Sequence, residues 1–169
     1  MIKNVLVLFF ILSTLSLFSC DSTSSYYYEP DFTNVPDAFP RDEAKKTVMP
    51  NGLIIYEVAL GDGPFTVQNK DVINGYYTGR KLKDDEIFDS TFKDGFTSYF
   101  SLNLGGVNVN SGTFNFIEGF RQGFVGMKKG GKRVVVIPPD LGYAGTGNLL
   151  QNDTLVFDIE VHSFVAAKK

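Results

Sequence analysis

The chain has 169 residues, 43% of them hydrophobic and 21% charged, which is enough for one globular domain and too few for two comfortable ones. With 16 Lys+Arg against 19 Asp+Glu the net charge is −3, which argues against disorder and against a basic nucleic-acid binder, so no nucleic-acid partner is expected. One Cys and one His exclude a disulfide scaffold and leave a zinc site almost no ligands, so no metal is expected.

Met1-Ile2-Lys3-Asn4 is a short positive start, and Val5 to Phe18 is an apolar run broken only by Ser13, Thr14 and Ser16. That run is too short to cross ~30 Å of hydrocarbon comfortably, so residues 1–19 read as a signal peptide. It ends in Leu17-Phe18-Ser19-Cys20, which resembles a bacterial lipobox. The resemblance implies lipidation of Cys20, cleavage before it, and a membrane-anchored lipoprotein of the cell envelope that faces the periplasm. Two or three acyl chains make release negligible. Residues 20–46 then read as the lipidated N-terminus and a flexible tether, small and polar at first and interrupted by Pro30, Pro36 and Pro40. The triplet Tyr26-Tyr27-Tyr28 suits a headgroup interface or packing on the domain.

Residues 47–169 read as the domain. Leu53 to Val58 is a strand closed by the turn cluster Gly61-Asp62-Gly63-Pro64, and Asp71 to Leu82 is a second strand rich in Val, Ile and Tyr. Glu86 to Asp89, Ser98 to Leu104, Lys132 to Ile137 and Thr154 to Phe164 supply the rest, the last alternating Leu155, Phe157, Ile159 and Val161 against polar neighbours. One segment reads as helix. Asn115 and Glu118 form a capping-box pattern, Ile117, Phe120, Phe124 and Met127 make one apolar face, and Gly126 with Gly130-Gly131 ends it. The fold class is α+β: a twisted antiparallel sheet of five to six strands wrapped around one short helix.

Several motifs carry no chemistry. Gly126 to Lys132 fits a phosphate-loop skeleton, but Arg133 stands where the Ser/Thr belongs, and a helix precedes where a strand should. Gly142 to Gly147 is glycine-rich but follows prolines and opens no helix. His162 lies in a strand alternation without an acid or thiol partner, and Asp84-Asp85-Glu86 lacks the ligand spacing of a calcium loop.

Tyr77-Thr78-Gly79, Phe88-Asp89-Ser90-Thr91, Phe116-Ile117-Glu118-Gly119-Phe120, Gly126-Met127, Gly130-Gly131-Lys132-Arg133, Ile137-Pro138-Pro139, Leu141-Gly142-Tyr143 and Thr154-Leu155-Val156-Phe157 follow in order. Together they resemble the FK506-binding-protein (FKBP) type of peptidyl-prolyl cis/trans isomerase over about Asn51 to Phe164. With the lipobox ahead of it, the chain resembles the lipoprotein isomerases of the Bacteroidetes, including the gliding-motility-associated group.

The resemblance implies a cofactor-free enzyme that twists X-Pro bonds of exported or unfolded polypeptides and has an affinity for FK506-type macrolides. It implies catalytic roles for Tyr77, Asp89, Tyr143 and Phe157. Phe88, Phe100, Phe116, Ile117 and Phe120 would line the proline pocket, and Leu149 would add a wall to the flap. The Ile117 N–H and the Tyr143 hydroxyl would meet substrate carbonyls. Three features depart from the family: Phe120 replaces a Trp, the flap after Tyr143 is short and reads Leu149-Leu150-Gln151-Asn152, and Gly105 to Thr113 is long. Those departures leave two other readings: a low-turnover chaperone or binding module for Pro-containing segments, and a structural lipoprotein of an envelope or motility complex.

Overall fold

The computed structural model describes residues 28–105 and 116–167. The signal segment, Cys20, Tyr26, Tyr27 and Asn115 lie outside the described residues. In chain order the elements are β1 (Lys45–Val48), β2 (Ile54–Ala59), β3 (Val72–Lys81), β4 (Ile87–Ser90), β5 (Phe100–Asn103), α1 (Glu118–Phe124), β6 (Lys132–Ile137) and β7 (Leu155–Val165). The strands form one antiparallel sheet in the order β1-β2-β6-β7-β3-β4, with β5 also on β3. This is the α+β architecture expected, with a seventh strand, β1, that starts inside the stretch read as tether.

β3 organises the sheet. One edge pairs along its whole length with β7, from Val72↔Val165 to Lys81↔Leu155. The other edge is shared: β5 takes Val72 to Gly75 and β4 takes Thr78 to Arg80. Between those partners the edge at Tyr77 is bonded by a loop. Thr91 N–H donates to the Tyr77 carbonyl at 3.0 Å, and Tyr77 N–H donates to the Thr91 hydroxyl at 3.1 Å. That gap sets the position of the site.

The concave face buries α1. Phe120 and Phe124 pack with Val135, Ile137, Leu155 and Ile159, all buried. Two glycines let the helix approach the sheet: a Cβ on Gly119 would lie 2.4 Å from Ile137, and one on Gly123 would lie 2.8 Å from Val135. The helix does not start as a capping box. Its N-cap is Ile117, with extended backbone and no side-chain cap bond, so the chain stays extended two residues past Asn115. Gly126, at φ 81°, follows its end, and Met127 is buried beyond the helix rather than on its face. Arg133 fixes that end by donating to the Gly123 and Val125 carbonyls at 2.9 and 2.7 Å while pairing with Glu57 at 3.0 Å.

The convex face carries Val134, Val136 and Val156, covered in part by Phe39. Residues 28–44 form no helix or strand and lie on the domain. Arg80, paired with buried Asp158, also donates to the Pro36 carbonyl at 3.2 Å, and the Lys132 ammonium sits 5.2 Å from the Phe39 ring centroid. Burial raises the Asp158 carboxyl above the usual carboxylate range, with the Arg80 charge opposing.

Candidate active site

Period-2 alternation along β3 puts Ile73, Gly75, Tyr77 and Gly79 toward the core and Thr78 and Arg80 toward the convex face. Tyr77 therefore projects beneath the edge gap. Its ring meets Phe100 at 5.4 Å and Phe120 at 5.3 Å, both edge-on, and Phe157 at 5.9 Å. Opposite Gly79 in the ladder stands Phe157, whose ring meets Phe88 of β4 edge-on at 5.5 Å. A Cβ on Gly79 would fall 2.6 Å from Phe88 and 2.8 Å from Phe157, so only glycine leaves room for the two rings. From the helix side Phe120 forms the floor, stacked on Phe116 at 5.1 Å.

Tyr77, Phe88, Asp89, Phe116, Ile117, Phe120, Tyr143 and Phe157 enclose a cleft of about 50 Å³. On one side it opens into a groove of about 400 Å³ past Phe100 and Tyr99. On the other it meets a groove of about 530 Å³ along Gly142, Tyr143 and Thr146 to Asn148. The result is a trough open at both ends with a narrow aromatic pit at its middle. Six of its eight lining residues are aromatic, so the pit suits a compact apolar group.

Polar groups stand only at the mouth. The Tyr77 hydroxyl donates to Asp89 Oδ2 at 2.5 Å, and Asp89 Oδ1 accepts from Lys93 Nζ at 2.8 Å and from the Ser90 N–H at 2.9 Å. Burial, then the Asp89 charge, pushes the Tyr77 phenol far above its ordinary value, and the same two causes raise Tyr143. Both therefore stay protonated donors across the neutral range. Neither the Tyr143 hydroxyl nor the Ile117 N–H bonds to another described residue, so each can meet an incoming carbonyl.

The FKBP-type peptidyl-prolyl cis-trans isomerase family matches residues 63–162. The chain belongs to that family. It is similar to a probable FK506-binding protein of Corynebacterium glutamicum, 33% identical over 73% of this chain and 97% of that one. It is similar to the peptidyl-prolyl cis-trans isomerase FKBP15-3 of Arabidopsis thaliana, 36% identical over 73% of this chain and 82% of that one. Among solved structures it resembles FkpA from Escherichia coli, with a TM-score of 0.58 and 30% identity over 70% of this chain and 51% of that one. Of longer relatives, FK506-binding nuclear proteins among them, the chain spans only a quarter to a third (26% and 32%).

In this FKBP-type domain the structure brings together nearly all the side chains that the motifs point to. Phe100 stands behind the pit, backing Tyr77 and Phe120. Leu149 does not join them: it is 99% exposed, while Leu150 turns inward onto the core. His162 is exposed and stacked on Tyr99 at 5.4 Å, away from the pit. Three contributors have no role assigned from the sequence, although Gly79 and Thr91 stand within its motifs. Gly79 makes room for two rings, Thr91 fastens the Tyr77 backbone, and Lys93 bonds Asp89. An opposite charge four residues after Asp89 was the available signal for Lys93, but it carries weight only once a turn brings the two together.

Proposed function

We propose that the domain catalyses cis/trans isomerisation of X-Pro bonds in exported or unfolded polypeptides, working from a lipid anchor on Cys20 in the cell envelope. The observation that carries the reading is the narrow aromatic pit midway along an open trough, which suits an extended chain with one proline ring inserted. Rotation about the X-Pro bond has a barrier near 18–20 kcal/mol because the planar amide keeps partial double-bond character. Twisting disrupts that conjugation and leaves a less polar amide. A water-poor aromatic site that fits the twisted form better lowers the barrier, tenfold for each ~1.4 kcal/mol of preference. The Ile117 N–H and the Tyr143 hydroxyl hold the flanking carbonyls, and Asp89 orients Tyr77.

An FK506-type macrolide should occupy the same pit. In titrations of the full chain, such a macrolide should displace a proline-containing peptide competitively. Simultaneous binding of both would place the peptide elsewhere and sink the reading. Asp89→Asn keeps an acceptor for Tyr77 but removes the charge, so turnover should fall on the order of tenfold, not vanish. Complete loss in a folded variant would indicate proton transfer by Asp89 instead.

Support for the anchor lies in the lipobox-like Leu17-Phe18-Ser19-Cys20 and in the arm that follows. With residues 28–44 lying on the domain, seven residues (21–27) separate Cys20 from the docked chain. At 3.3–3.6 Å per residue they reach about 25 Å, so the trough works close to the membrane surface. Cys20→Ser should abolish lipid labelling and release soluble protein or leave uncleaved precursor. Normal processing with full membrane retention would contradict the anchor.

A further inference from the structure

A turn beside the cleft has features that the isomerase reading does not use. Residues 93–95 form a 3₁₀ turn in which Asp94 has φ 60° and ψ 24°, a left-handed conformation that strains a residue with a Cβ. The N-terminal arm holds it there. Asp31 N–H donates to Asp94 Oδ1 at 2.9 Å, Asp94 N–H donates back to the Asp31 carbonyl at 2.7 Å, and the Tyr28 hydroxyl donates to Asp94 Oδ2. The preceding residue, Lys93, bonds Asp89, which in turn orients Tyr77 in the pit. A continuous set of contacts thus runs from the arm through the turn to the cleft.

We propose that Asp94 is a positioning residue for the reaction: pinned by Tyr28 and Asp31 of the arm, it holds the 93–95 turn so that Lys93 stays on Asp89 at the mouth of the cleft. The inference rests on the isomerase reading of that cleft. Lys93 is 41% exposed and Asp89 30% exposed in their side chains, and such a pair loses much of its gain to the cost of ordering a long lysine. A turn fixed from outside removes backbone freedom from that cost. The arm that leads toward the membrane therefore also sets the electrostatics of the site.

The test is a protease-free isomerisation assay on the full chain with a proline peptide. Asp94→Gly suits the left-handed backbone and removes the carboxylate, so the variant folds without the clasp. Its kcat/KM should fall on the order of threefold, with a similar loss for Lys93→Met and no further loss in the double variant. Asp94→Asn, which tolerates the backbone and keeps an acceptor for Asp31, should restore the wild-type rate. Wild-type kcat/KM in Asp94→Gly, or losses that multiply in the double variant, would overturn the inference. A wild-type chain without turnover would remove the isomerase reading itself, and the inference with it.

Discussion

Phe120→Ala should destabilise the domain by about 3–5 kcal/mol, the range for emptying a buried aromatic site. Phe120 is 1% exposed, with Phe157, Phe116, Phe124, Tyr77 and Phe100 all between 5.0 and 5.5 Å in ring centroid distance. These rings come from β3, β5, α1, β7 and the chain before the helix, so no single element can collapse into the space. Against a typical total of 5–15 kcal/mol the loss is large. Denaturant titration should show a lower midpoint at an unchanged slope. A loss under about 1 kcal/mol would mean that the helix does not seat on this cluster. Phe116→Ala, at a half-buried ring on the cleft side, should cost less and act mainly on substrate binding.

Arg80→Met should be comparably severe for a different reason. Arg80 and Asp158 are 4% and 5% exposed, and Arg80 also holds the Pro36 carbonyl of the arm. Without the guanidinium, Asp158 is a buried carboxylate that keeps only the Phe39 backbone hydrogen bond and the Arg41 charge, a loss of about 3–5 kcal/mol. Burial already raises the Asp158 pKa, and removing Arg80 raises it further. A raised folded-state value means that the protonated form is favoured in the fold. The penalty should therefore be full only above the raised folded-state value, should relax as pH falls from there toward the unfolded value near 4, and should be gone below it. Arg80→Met with Asp158→Leu replaces both charges by apolar groups and should recover most of the loss at pH 7. A double variant no more stable than the single would show that the pair does not act as a buried ion pair.

Much of this fold was legible because Ile73 and Tyr77 of β3 and Leu155, Phe157, Ile159 and Val161 of β7 recur at every second position toward the core, although part of the opposite face is buried as well. The grouping of side chains in the candidate cleft was legible through the order of the motifs: Tyr77, Phe88, Asp89, Phe116, Ile117, Phe120, Tyr143 and Phe157 all line it. β1 was not, because Lys45 to Val48 is exposed throughout and an exposed edge strand has no burial pattern to read. The helix start was misplaced because Asn-x-x-Glu is a local signal, whereas the chain before α1 is held extended with Ile117 buried at the cleft. Docking of the arm could not be anticipated from its prolines. Phe39 and Pro36 find their partners on a surface built from β2, β3, β6 and β7, strands far apart in sequence. Leu149 and Leu150 are chemically identical, and only the turn geometry decides that the second faces inward.

If the aromatic pit is a catalytic site, it accelerates rotation about an X-Pro bond. Uncatalysed, that rotation takes tens to hundreds of seconds at 25 °C. Exchange spectroscopy on a proline-containing peptide, with the full chain at a small fraction of the peptide concentration, measures the interconversion rate directly. Exchange should be at least on the order of a hundredfold faster than in the peptide alone, equivalent to about 2.7 kcal/mol of barrier lowering, and should return to the uncatalysed rate when an FK506-type macrolide fills the pit. Peptide that binds in the trough while exchanging at its uncatalysed rate would contradict the account.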